Sequence, residues 1–86
     1  MPTISYFYGI VIQMFWNDHA PPHFHALYGA DEAVVAIATQ EVIRGSLPPR
    51  AQGMVIEWAK RHQDELMENW EICRQHKKPR KISPLK

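Results

Sequence analysis

Three of the chain's five histidines fall within the run Asp18-His19-Ala20-Pro21-Pro22-His23-Phe24-His25. Successive side chains of a strand point to opposite faces, so His23 and His25 project to the same side with Cα atoms about 6.5–7 Å apart. Two imidazoles so placed can converge on one divalent ion of borderline softness, zinc or nickel. The prolines limit the reach of the preceding loop, so that His19 or Asp18 can fold back over the strand start as a third ligand. One coordination position then stays open, as in catalytic zinc sites. The metal set is thus His19, His23 and His25, with Asp18 beside it. A general acid and base pair made of His23 and His25 has the same geometry, because histidine alone changes charge near neutral pH without help from its surroundings. In the plainer alternative, Phe24, Ala26 and Tyr28 face the core, and the histidines are polar groups on the sheet's outer face. There they would pair with Asp18 or with backbone carbonyls. No C-x-x-C or H-E-x-x-H pattern adds weight to a metal.

Other residues suggest contact more than reaction. Trp16, Tyr6 and Tyr8 come from strand ends and edges, where they either pack the sheet or make a surface for bases or a partner. Trp58 and Trp70 lie on a helical apolar stripe and belong to the core. Cys73 lies on the same stripe without an activating neighbour, which makes it inert. Gly53 permits close packing inside a helix and binds no phosphate. Charge is split along the chain: residues 1–76 sum to −4, while Lys77, Lys78, Arg80, Lys81 and Lys86 bring the last ten residues to +5. Such a tail either neutralises nucleic-acid phosphates, with steep salt dependence, or only solubilises the domain.

The elements that must hold these residues follow from periodicity. Thr3 to Tyr8 and Ile10 to Trp16 are rich in β-branched and aromatic residues, with a tight bend or bulge at Gly9. His23 to Tyr28 makes a third strand ended by Gly29, Ala33 to Ala38 a fourth, and Glu41 to Ile43 a short fifth. Every connection is too short for a crossover helix, so the strands form an antiparallel meander. Gly45-Ser46-Leu47-Pro48-Pro49 marks a helix start with Ser46 as N-cap. Ala51, Val55, Trp58, His62, Leu66, Trp70 and Cys73 then recur every three or four residues, a stripe aimed at the sheet. An unbroken helix from Pro49 to Gln75 would run about 40 Å, longer than a domain of this size is wide, so a kink is expected near His62 to Asp64.

Composition agrees with one α+β domain over residues 1–76, four or five strands packed on a C-terminal helix that kinks into two, followed by a mobile basic tail over 77–86. Apolar residues make up 45% and charged residues 22%, an ordinary globular mix. A lone cysteine and the absence of a signal-like or spanning stretch point to a reducing, cytoplasmic setting without membrane contact.

The segments Met1-Pro2-Thr3-Ile4, Phe7-Tyr8-Gly9, Asp18-His19, Pro21-Pro22-His23-Phe24-His25-Ala26, Gly45-Ser46-Leu47-Pro48 and Glu57-Trp58 resemble the bacterial domain of unknown function 4160 family. The resemblance continues through Glu65-Leu66, Trp70 and Ile82-Ser83-Pro84-Leu85. Gln40 stands where the family's hairpin glycine is expected, which implies a looser turn. The family implies no activity, substrate or cofactor, and its members resemble small proteins encoded beside another small domain, as toxin and antitoxin pairs are. Two functional readings follow. In the first, the chain is a binding or regulatory module that contacts a small protein partner, a second copy of itself, or nucleic acid through Trp16, Asp18, His19, His23, His25 and the tail residues Lys77, Lys78, Arg80 and Lys81. In the second it is a small hydrolase or ribonuclease using His23 and His25, with or without a metal.

Overall fold

Alternating β-branched and aromatic residues resolve into five strands: β1 Thr3–Phe7, β2 Ile10–Gln13, β3 His23–Tyr28, β4 Asp31–Ala36 and β5 Val42–Gly45. In the computed structural model, which describes residues 2–86, they pair antiparallel in sequence order. Met1, the first residue of the family resemblance, lies outside the described residues. Tyr8 and Gly9 form the β1–β2 turn, both at positive φ as a two-residue turn of type I′ requires. The β2 strand stops at Gln13, short of the expected Trp16, because the chain leaves the sheet there. Met14 is fully buried and its N–H donates to the Pro2 carbonyl at 3.2 Å.

The fourth and fifth strands are shifted from their expected places. Tyr28 pairs with Asp31, which draws β4 toward the Gly29 turn, and Gln40 ends the ladder by adopting a φ of 58°. A glycine would adopt that backbone freely. Gln40 is instead held by its N–H to the Ala36 carbonyl at 2.8 Å and by its side-chain amide to the Ile37 carbonyl at 3.0 Å. The turn is therefore closed rather than loose.

Two helices follow, α1 Pro49–Arg61 and α2 Gln63–Arg74. The cap at the start of α1 is Pro48, with Pro49 in the first turn, and not Ser46. The Leu47 N–H donates to the Gln52 side-chain carbonyl at 3.3 Å, so the turn is closed by a residue inside the helix. His62 separates the helices with φ −122° and ψ 25°, at the expected kink. The break lets both halves follow a domain whose longest axis is 33 Å. Ala51, Val55, Trp58, Leu66, Trp70 and Cys73 are all buried and share one core cluster with Ile10, Ile12, Phe24, Ala26, Ala33 and Val35 of the sheet. The Trp58 ring lies 5.4 Å from Phe7 and 5.8 Å from Phe24. Tyr28, expected in that core, is 38% exposed because it ends its strand. Among the described residues, no helix is long and apolar enough to cross a membrane.

The structure lays residues 77–86, expected as a mobile tail, across the domain as a strap. His76 at φ 59° ends α2 in a Schellman turn, with Lys77 N–H on the Ile72 carbonyl and His76 N–H on that of Cys73. The strap then runs along β1: Ile82 N–H donates to the Ile4 carbonyl at 2.7 Å, and Ser5 Oγ donates to the Ile82 carbonyl at 3.0 Å. Asn69 exchanges two bonds with the Arg80 backbone, and Lys81 Nζ donates to the Thr3 carbonyl. Pro79, Ile82 and Leu85 are buried. The basic residues hid this apolar spacing in the sequence. The strap also covers an edge strand that would otherwise expose unpaired backbone groups.

At Gly45, φ is 72° and an added Cβ would sit 2.1 Å from the Glu32 carbonyl oxygen, whereas at Gly29, φ 59°, nothing lies within 4 Å. Gly29→Ala should therefore cost only the backbone term of about 1–2 kcal/mol. Gly45→Ala should lose about 1–3 kcal/mol more through overpacking, and equal denaturation midpoints for the two variants would refute the close approach. Ile82→Ala is expected to lower stability by about 2–5 kcal/mol, while Lys78→Ala stays within about 0.5 kcal/mol. A strap detached in solution would leave both variants at wild-type stability in urea unfolding.

Candidate functional site

His23 and His25 lie on the face of β3 opposite Phe24 and Ala26, their rings 5.3 Å apart and inclined at 68°. That face is not open. His23 is 8% and His25 4% exposed, because the chain leaving β2 doubles back over them. Phe15 stacks on His25 at 4.1 Å and Trp70 lies 5.2 Å from His23. The covering segment is tied to the end of α2: Asn17 N–H donates to the Cys73 carbonyl at 3.2 Å, and Trp16 Nε1 donates to the Lys77 carbonyl at 2.9 Å. The same segment delivers Asp18, whose Oδ2 lies 2.9 Å from His23 Nε2 and 3.5 Å from His25 Nε2.

The hydrogen-bond partners fix which ring nitrogens are spoken for. His23 Nδ1 is 2.7 Å from the Pro21 carbonyl oxygen, which can only accept, so Nδ1 carries a proton. His25 Nδ1 is 2.8 Å from Glu32 Oε2, and again the ring donates. Both rings therefore present Nε2 to Asp18. His23 Nε2 either holds a second proton opposite the carboxylate or offers its lone pair. His25 Nε2 is buried and has no hydrogen-bond partner, its 3.5 Å approach to Asp18 being an ion-pair distance only. One ligand atom from each of Asp18, His23 and His25 lies within 4.8 Å of the other two, a group that could hold a metal ion. Ligand atoms of a tetrahedral zinc stand roughly 3.4 Å apart at bonds of about 2.0–2.1 Å, a spacing that the two Asp18 contacts, 2.9 and 3.5 Å, bracket. Burial acts to raise the Asp18 carboxyl, but it is outweighed by the His19 N–H, by the ring and charge of His23 and by the ring of His25. The carboxyl is held below its usual range and stays ionised at neutral pH.

Of the residues singled out in the sequence, Asp18 takes the third place in the group. His19 is exposed, its N–H on Asp18 Oδ1 at 2.8 Å, and it borders a depression of ≈ 200 Å³ beside the group together with Asp18, His23 and Arg44. Trp16 is 49% exposed and anchors the covering segment. Lys77, Lys78, Arg80 and Lys81 are exposed on the strap and stand apart from the group. Cys73 is buried, which pushes its thiol up and keeps it protonated. Glu32 was missed, although strand register could have found it. With a two-residue turn at Gly29-Ala30, Glu32 falls opposite Leu27 and diagonal to His25 on one face. Phe15 was missed because nothing in its local pattern says that the chain reverses over the sheet.

No curated protein and no solved structure matches the chain. Residues 9–71 match the family model described as Domain of unknown function (DUF4160), a stretch that takes in Asp18, His23, His25, Glu32 and most of both helices. That stretch is well over half of the 86 residues, and the chain belongs to the DUF4160 family.

Proposed function

We propose that this chain is a metal-dependent binding module in which Asp18, His23 and His25 hold one divalent ion, zinc or nickel. The observation that carries the reading is the buried, unpartnered His25 Nε2, aimed at a carboxylate that already faces His23 Nε2. A buried polar atom without a partner costs about 1–3 kcal/mol. A proton on His23 would relieve one contact and leave His25 unpaired, whereas a single cation would engage all three atoms. Pro21 and Glu32 would act as the outer partners that fix tautomer and ring orientation in histidine metal sites. The contact surface is supported by Tyr6, which is 63% exposed on the face that carries the histidines, in one cross-strand row with Val11 and Leu27. Aromatic and apolar groups of this kind, edged by polar ones, suit a small protein partner.

Calorimetric titration with zinc tests the centre. The wild-type chain should bind one ion. Asp18→Ala, His23→Ala and His25→Ala should each weaken binding by more than about 100-fold, and Glu32→Gln by roughly 10–100-fold. Equal affinity in the wild type and in the His23→Ala/His25→Ala double variant would refute it.

A hydrolytic use of the same centre is the second reading, favoured by the depression of ≈ 200 Å³ that opens beside Asp18 and His23. Three protein ligands leave a position for a water, whose pKa zinc lowers to about 7. The expected outcome is zinc-dependent cleavage of an activated phosphodiester that Asp18→Ala abolishes without unfolding the protein. If the zinc-loaded protein cleaves no faster than free zinc, hydrolysis is excluded and the binding module stands alone.

A further inference from the structure

We propose that the open side of this centre takes an oxyanion, the phosphoryl or carboxylate end group of a ligand, clamped between the metal and Arg44. The proposal rests on the metal reading given above.

Strand register brings Arg44 to the site. Arg44 pairs with Val34, and Val34 pairs with His25, so the three residues form one cross-strand row on the face opposite the helices. Neighbouring strands lie 4.7–4.9 Å apart, which puts the Arg44 backbone roughly 10 Å from that of His25, a gap that leaves room for a small group between the two side chains. Arg44 borders the same depression of ≈ 200 Å³ as two members of the metal group, Asp18 and His23, with Val34 and Ile43 also in its lining. That volume admits one small polar group, with the rest of its molecule left in solvent.

Arg44 is unengaged. Among the described residues it makes neither an ion pair nor a side-chain hydrogen bond, although it borders a second depression together with Glu32. The Glu32 carboxylate is turned instead onto His25 Nδ1. Charge counting then gives the sign of the ligand. A divalent cation is neutralised by the Asp18 and Glu32 carboxylates, and Arg44 leaves the loaded site with one positive charge in excess, which an anion would balance. A planar guanidinium with parallel N–H donors matches a carboxylate or a phosphoryl group through two bonds at once. The metal would take an oxygen of the same group, giving two anchors of different chemistry across one small opening.

The test uses the full chain loaded with zinc and titrated separately with inorganic phosphate and with acetate. At least one of the two should bind one to one, and the tighter arm assigns phosphoryl or carboxylate. Arg44→Gln should weaken that binding by roughly 10-fold or more with zinc affinity unchanged, and Arg44→Lys should fall between the two. The metal-free protein should bind neither anion. Equal anion affinity in wild type and Arg44→Gln, or no anion binding by the zinc-loaded protein, overturns the proposal while leaving the metal centre intact. Failure to bind zinc removes the centre and the proposal together, and calorimetry with zinc alone tells this apart.

Discussion

Strand β3 stands in the middle of the five-stranded order and is buried on both sides. Phe24 and Ala26 lie under the helices, and His23 and His25 lie under the segment that carries Phe15 to Asp18. A backbone gripped from both faces cannot rotate to suit a ligand, so packing sets where the two imidazoles point. The covering segment has the matching constraint. It is fastened to the end of α2 through Asn17 and Trp16, which fixes where Asp18 arrives. Support from rigid elements and from outer hydrogen-bond partners is what holds a site to tight geometric tolerance. In a single layered sheet one face is commonly left to water. Here the chain covers part of that face with its own loop, and the cluster of polar groups lies beneath the cover.

Much of this arrangement was legible in the residues. Runs of β-branched and aromatic residues between turn residues locate the strands, short connections make them antiparallel, and the stripe through Trp58, Leu66 and Trp70 places the helices on one face, with His62 at the break. The shared face of His23 and His25 followed from spacing alone. What escaped depended on distant contacts. The burial of the histidines requires the reversal at Met14 to Asp18, which no local pattern encodes. Glu32 and Arg44 enter only once the register of β3, β4 and β5 is known, and β5 runs on to Gly45, past the expected end at Ile43, where the close approach of Gly45 to Glu32 is a tertiary fact. The strap is not legible because net charge dominates a segment whose Pro79, Ile82 and Leu85 are the residues that pack.

The strap also changes how the charge of the molecule is arranged. The acidic body and basic last ten residues balance by composition, and docking brings them together in space. Lys81 caps a carbonyl of β1 at the surface. Lys77, Lys78 and Arg80 remain exposed, so any attraction to polyanions comes from a fixed surface and not from a trailing chain. A fixed array loses less conformational freedom when it binds, and it also fits fewer shapes.

Two of the three tryptophans donate their indole N–H to this strap, Trp16 to the Lys77 carbonyl and Trp58 to that of Ser83. The first sits half in solvent beside the histidines, and the second is fully enclosed in the core. Lifting the strap would therefore rehydrate one indole at the surface and one at the centre, linking the histidine cover and the helix–sheet core through a single peptide segment. The protein carries an intrinsic optical gauge of that coupling: emission from Trp16 and Trp58 reports whether the two halves of the fold loosen together or apart.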